Sequence, residues 1–402
     1  MKNLIKIFIV SLWSVVALAA CEQFEDNAGT GEVKPLRSVI TLDLQLGDAP
    51  APPEFNVRLI NYAERFEINT TVPSDGYLTV DDIIPGIYTI TISAEMNANG
   101  FTYNYSGSIV NTEIIRSGVR QKVKVESSKS GNLLLKEVYY CGSKTSSGGS
   151  YFRDQFYEIY NNSATVQNVK GLCISLLNPM TATANLPVWS GADADKFVYG
   201  LQIWQIPTNK DYLLNPGESV IIAQMADNHQ KSVLNPNCPV NLITAEFETF
   251  INSTSIISDN PAINMTMAFW PSPTPQWLTT VFGGAFVIYF PSQPIVPANY
   301  VTSVGSTTKC YKIPISEVVD ALELVGNTNQ MNLKRMPTVL DAGASTVGGT
   351  YLGKSVARKV KETVNGRVVL YDTNNSSNDF EVQSTPVIRR HGAKAPSWNT
   401  WD

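Results

Sequence analysis

Hydrophobic and polar residues alternate with a period of two through the first third of this chain. Ile40, Leu42, Leu44 and Leu46 alternate with Thr41, Asp43 and Gln45, and Phe55, Val57 and Leu59 with Asn56 and Arg58. Tyr88, Ile90 and Ile92 alternate with Thr89, Thr91 and Ser93, and Phe101, Tyr103 and Tyr105 with Thr102 and Asn104. Val123 and Val125 alternate with Lys122 and Lys124. Successive side chains of a strand point to opposite faces, so each run predicts a strand with one face buried and one face wet. Ser74-Asp75-Gly76 and Pro85-Gly86 fall between runs. Glycine reaches positive φ without steric cost and proline presets its own φ, so both read as turns. Short strands with turns between them predict an antiparallel sandwich over residues 37–128.

Lys129-Ser130-Gly131-Asn132 interrupts the pattern and marks a boundary. Leu133 to Tyr140 then predicts a strand, a Gly/Ser loop runs from Gly142 to Ser150, and Phe156 to Asn162 predicts another strand. Residues 131–402 are read as a second β unit.

Two resemblances sharpen this outline. Ser74-Asp75-Gly76-Tyr77-Leu78 through Ile84-Pro85-Gly86-Ile87-Tyr88-Thr89-Ile90 resembles the carboxypeptidase-regulatory or transthyretin-like module, which implies a spacer or binding unit without catalysis. Lys136-Glu137-Val138, Phe156-Tyr157-Glu158-Ile159-Tyr160-Asn161, and Leu214-Asn215-Pro216-Gly217-Glu218 into Ser219-Val220-Ile221-Ile222-Ala223 resemble motifs of the lamin-tail family, an Ig-like sandwich. Val169-Lys170-Gly171-Leu172 supplies a shifted form of a further element, and Leu370-Tyr371-Asp372-Thr373 through Asp379-Phe380 resembles the closing motif. The family needs far fewer residues between Ala223 and Leu370, so an insertion is expected at about 225–345. A short helix is predicted in it from Ser316 to Val325, with Ser316 as cap, Glu317 and Asp320 in the first turns and Gly326 as stop. The fold class expected is therefore mainly β, with two Ig-like antiparallel sandwiches in tandem and a large insertion in the second. The assembly resembles an uncharacterised family of Bacteroidota lipoproteins whose genes lie beside TonB-dependent receptors. That resemblance implies a role in outer-membrane uptake.

The first 36 residues address the chain. Lys2 and Lys6 precede an apolar stretch from Ile7 to Ala20, only 14 residues long. About 20 are needed to span a bilayer, so this reads as a signal peptide of residues 1–20. Leu18-Ala19-Ala20-Cys21 has the form of a lipoprotein cleavage box, which makes Cys21 the lipidation site and residues 21–36 a tether. Glu22, Gln23, Phe24, Glu25 and Asp26 resemble the export signal of Bacteroidota surface lipoproteins, which implies an outer-membrane protein facing the cell exterior.

Once Lys2 and Lys6 leave with the leader, 28 basic residues face 35 acidic ones, a balance of −7. The charge is spread out and argues against nucleic acid, which asks for clustered Lys and Arg. Cys141, Cys173, Cys238 and Cys310 allow two disulfides in an exported chain, with Cys141–Cys173 favoured because their strands read as neighbours; four buried free thiols are the alternative. No CxxC pair suggests zinc.

Catalytic candidates are sparse. His229 and His391 are the two histidines, both expected in exposed loops, and no GxSxG or HExxH accompanies them. Glu246 and Glu248 would share one face of a strand, expected to be solvated. Asp372, Asn374, Ser376 and Asp379 space oxygen donors loosely like a calcium loop, but lack its central Gly and final Glu. No cofactor is implied. The aromatic pattern points elsewhere. Trp204, Trp270, Trp277 and Tyr289 are the ligand contacts expected, with Pro271, Pro273 and Pro275 stiffening the segment around the middle two. The function expected is a non-enzymatic surface lipoprotein that binds a small molecule or glycan, or assists a TonB-dependent transporter. A surface glycan or peptide hydrolase using carboxylates of the insertion, and a structural or adhesive envelope module, are the alternatives.

Overall fold

A computed structural model of the chain describes residues 35–399 except 48, 99–100, 130, 253–257 and 272–278. Strands carry the architecture, as the alternation predicts. Strands β1 (Leu36–Gln45), β2 (Glu54–Asn61), β3 (Phe66–Pro73), β4 (Tyr77–Ile83), β5 (Gly86–Ala98), β6 (Phe101–Ile114) and β7 (Val119–Lys129) form one seven-stranded sheet in the order β3-β2-β5-β6-β7-β1-β4. Strands β1 and β7 run parallel, while the other neighbours are antiparallel. The end strands β3 and β4 meet, so the sheet curls round one core. Alternation decides what fills it: Ile40, Phe55, Val57, Leu59, Ile90, Ile92 and Val125 are buried there. A Cβ at Gly86 would strike the Asn61 carboxamide, so the Pro-Gly turn is also a close backbone approach.

The second body is a sandwich of two further sheets. Its strands are β8 (Leu133–Tyr139), β9 (Phe156–Asn161), β10 (Cys173–Leu177), β11 (Phe197–Gln205), β12 (Ser219–Ala223), β13 (Phe247–Glu248), β14 (Ile263–Asn264), β15 (Thr266–Phe269), β16 (Ala285–Tyr289), β17 (Tyr300–Val301), β18 (Cys310–Pro314), β19 (Val318–Glu323), β20 (Ser355–Arg358) and β21 (Phe380–Gln383). One sheet has the order β14-β13-β12-β9-β8-β20-β21, the other β17-β18-β11-β10-β16-β19 with β15 beside β11. Leu135, Val138, Phe156, Ile159, Ile174, Leu176, Trp204, Phe286 and Leu322 pack between them. The second sheet is buried on its outer face too, where Cys173, Leu177, Val198, Ile203, Val287 and Tyr289 meet Met336 and Leu340. Burial on both faces is why these strands read as unbroken apolar runs.

The structure corrects three expectations. The predicted helix Ser316–Val325 is a 3-10 turn, Ile315–Glu317, followed by strand β19 paired with β16. Local cap chemistry lost to sheet pairing and burial of Ala321 and Leu322. The α-helix among the described residues is the single turn α1 (Ser376–Asp379). Second, residues 225–345 are woven into the sandwich: β13 and β14 extend one sheet, while β15 to β19 build most of the other. Third, Cys141, Cys173, Cys238 and Cys310 are all free and buried. Cys141 lies in the core between the sheets, whereas Cys173 points to the opposite face of its strand, so the favoured Cys141–Cys173 pair is not formed.

The segment from Val387 to Asn399 straps the outer face of the first of these sheets. Glu137 and Glu158 stand opposite each other on β8 and β9, and Glu246 reaches the Ile221 amide of β12 at 2.7 Å. All three are fully buried. Lys136 meets Glu158 at 2.8 Å, Arg390 meets Glu137 at 2.8 Å, and Arg389 pairs with Glu246. Acids buried in a row persist only because cations and hydrogen-bond donors are supplied to each.

Candidate functional site

Strand β11 positions the open surface of the second body. Val198 and Ile203 belong to the outer-face core and Trp204 to the inter-sheet core. Gly200 presses on Ser175, where a Cβ would lie 2.5 Å from the hydroxyl oxygen, so the strand can carry no side chain there. Two concavities open along its length. The first holds about 460 Å³ and lies between the two bodies. Phe197 and Tyr199 line it with Pro179, Trp189 and Thr338, and β6 and β7 contribute Ser108, Lys124 and Glu126. The Trp189 and Tyr199 rings stack at 3.6 Å with an interplanar angle of 3°. Lys124 and Glu126 pair with each other at 2.6 Å. The second concavity holds about 420 Å³ and is lined by Leu201, Gln202, Trp270 and Pro271, with Met180 and Thr307 to Lys309 on its rim. Both volumes fall in the range of small-molecule sites, roughly 300–1,000 Å³.

Pro179 walls the first concavity and Met180 the second. Arg335 fixes that wall. Its guanidinium donates to the carbonyls of Pro179 at 3.3 Å and Met180 at 3.0 Å, and to the Glu323 carboxylate at 2.7 Å. Its side chain is fully enclosed, so the wall is pinned from within the protein.

The aromatic residues expected to contact ligand divide. Trp204 and Tyr289 are completely buried, which removes them from any contact surface. Trp270 is half-buried and faces the second concavity, its ring held edge-on by Trp204 at 6.5 Å. Trp277 and the lipidation residue Cys21 lie outside the described residues. Sequence reasoning missed Gln202, Trp189 and Tyr199. The last two stack across a loop of nine intervening residues, which no local pattern marks.

The other candidates prove structural. His229 is fully buried, contrary to the exposed loop expected: Nδ1 and the Tyr151 hydroxyl are 2.8 Å apart, and Nε2 lies 2.9 Å from the Met225 carbonyl. Burial pushes its pKa down to about 4, so it is neutral at physiological pH. His391 is exposed at the surface, with φ of 61°. Glu246 and Glu248 are buried and not on a solvated face. Main-chain amides of Ile221, Ala226 and Asn260 donate to them, and Arg389 pairs with Glu246. Burial pushes Glu246 up to about 7 despite Arg389. Asp154 accepts from Tyr139, Ser143 and the Cys238 thiol, and burial raises it to about 6.

The weak calcium loop is corrected by an arginine. Arg358 lies among Asp320 at 2.6 Å, Asp379 at 3.3 Å and Asp372 at 3.5 Å. Asn375 caps α1 through the Ser377 amide, and Ser376 donates its own amide to Asp341. A protein cation thus occupies the centre of these acids, and among the described residues no cluster of His, Cys, Asp or Glu is set to hold a metal.

These features define a mainly β protein of two sandwich-like bodies with small-molecule-sized hollows along one strand. The sequence profile of a family described as protein of unknown function, DUF4876, matches residues 215–387. A crystal structure of a DUF4876 family protein from Bacteroides thetaiotaomicron VPI-5482 is 39% identical, with a TM-score of 0.65, over 90% of this chain and 99% of that one. The chain belongs to the DUF4876 family. No curated protein matches it.

Proposed function

We propose that the chain is a non-enzymatic lipoprotein, held in the outer membrane through Cys21 and facing the cell exterior. There it binds a ligand or serves as accessory to a TonB-dependent transporter. The observation that carries the reading is the β11 face: two hollows that combine aliphatic walls, the aromatic rings of Trp189, Phe197, Tyr199 and Trp270 and a few polar and charged groups, with their dividing wall pinned by Arg335. Capture and handover need such complementarity and no proton transfer. Hydrolysis of a glycan would need two acids facing across a cleft, whereas Glu246 and Glu248 are each wrapped by main-chain amides. The first body is read as a transthyretin-like spacer and the second as a lamin-tail-like sandwich. The adjacency of β8, β9 and β12, which carry three of the quoted motifs, supports the latter.

The test has two arms. Metabolic labelling with a clickable fatty acid should mark the native chain and not its Cys21→Ala variant, and protease added to intact cells should remove it. Tagged chain purified from native membranes should then bring a transporter or a small molecule with it. An unlabelled, protease-resistant chain that repeatedly returns alone would sink the reading.

A further inference from the structure

We propose that the hollow beneath Trp270 binds a hydroxylated ring bearing a carboxylate, the chemistry of an acidic sugar unit. The proposal rests on reading the chain as a ligand-binding protein and names the class of ligand.

Gln202 is the first support. It stands on β11, is 2% exposed, lines the hollow, and its Oε1 has no hydrogen-bond partner among the described residues. A buried carbonyl oxygen without a donor costs about 1–3 kcal/mol, which a ligand O–H would relieve. If the amide is turned end for end, its NH2 meets the same gap. A hydroxyl both donates and accepts, so it answers either orientation.

Trp270 is the second. Its ring is half-buried and braced edge-on by the fully buried Trp204. A braced ring gives up little rotamer freedom on binding. Leu201, Met180 and Pro271 extend the apolar surface beside it. This suits a ring with one C–H-rich face and a polar edge.

The rim supplies the charge preference. Thr307, Thr308 and Lys309 are exposed there, and Lys309 forms no ion pair among the described residues. An ammonium with no counter-ion among the described residues, at the mouth of a hollow, favours a ligand anion. Gln202 at the base and Lys309 at the rim thus select hydroxyl and carboxylate on one small molecule.

The full chain is titrated by calorimetry and ligand-observed NMR with galacturonic acid, glucuronic acid and their short oligomers, against galactose and glucose. The uronates should bind, and the neutral sugars should bind about tenfold more weakly. Trp270→Ala and Gln202→Leu should each weaken uronate binding by about tenfold or more. Lys309→Ala, at an exposed position, should erase the roughly tenfold preference for the acid over the neutral sugar. Absence of uronate binding overturns the proposal. So does equal binding of neutral sugars, or undiminished binding by folded Gln202→Leu and Trp270→Ala chains. Native mass spectrometry of chain isolated from its own cells separates this from the broader reading. A co-purifying molecule retained by Trp270→Ala leaves ligand binding standing and removes this site. A chain that carries no molecule, binds no sugar and captures no transporter removes both.

Discussion

Arg358 shows how single residues hold this protein together. Its guanidinium donates to Asp320 and Asp379, to the Tyr371 carbonyl and to the Leu135 carbonyl, so it joins β8, β19 and the turn before α1. Burial raises Asp320 and Asp379, and Arg358 pulls both back. Arg358→Met should cost about 3–5 kcal/mol, because it leaves several acids buried without a cation; urea unfolding would measure it. His229 gives a pH signature. Its pKa falls from 6.5 to about 4 on folding, so between those values the unfolded chain takes a proton that the folded chain refuses. Stability from this group is complete above about pH 6.5 and is lost as pH falls toward 4, in total roughly 3 kcal/mol. Asp154 and Glu246 act with opposite sign: their folded pKa values are raised, so their contribution is lost as pH rises through about 6 and about 7. His229→Gln should flatten the acid limb of the stability profile. An unchanged limb would show that other groups set it.

At the scale of elements, the strap from Val387 to Asn399 stabilises through charge as much as packing. It brings Arg389 and Arg390 to the Glu246 and Glu137 of the sheet beneath, and Trp398 donates to the Leu213 carbonyl at 2.8 Å. Replacing both arginines by methionine should lower amide protection in β8, β9, β12 and β13, leaving β1 to β7 unchanged; hydrogen exchange by mass spectrometry resolves these segments. The same scale shows where the sequence was legible. The strands β1 to β7 follow a clean two-residue period because one face is wet. The β10, β16 and β19 runs have no such period, since both faces of their sheet are buried. Residues 316–325 accordingly carried cap signals that outweighed a strand pattern blurred by double burial. Glu246 read as a surface residue for a related reason: Arg389, which neutralises it, lies 143 positions away.

The two bodies meet through polar contacts. Thr89 donates to the Asn332 side chain at 2.5 Å, Ser106 to the Thr338 carbonyl at 3.1 Å, and Lys361 pairs with Glu95. Separate cores that meet through polar bonds should unfold separately. Calorimetry should show two transitions, of which Arg358→Met moves one. A single transition that shifts as a unit would mean that the bodies are energetically fused. The hollow at Trp189 and Tyr199 draws its walls from both bodies, so its shape depends on this contact.

The sequence by itself determined what depends on near neighbours: strand alternation, the Asp-Gly and Pro-Gly turns, and a scarcity of catalytic motifs. Tertiary structure decided what depends on distant partners. It turned a helix signal into β19, buried His229 and the glutamates, and put Arg358 where a metal had been considered. It also withdrew Trp204 and Tyr289 into cores while placing the buried Gln202 in the wall of the Trp270 hollow. The physical reason is burial. A side chain's solvation, and with it its charge and availability, is set by what the rest of the chain packs against it, and sequence spacing carries no record of that.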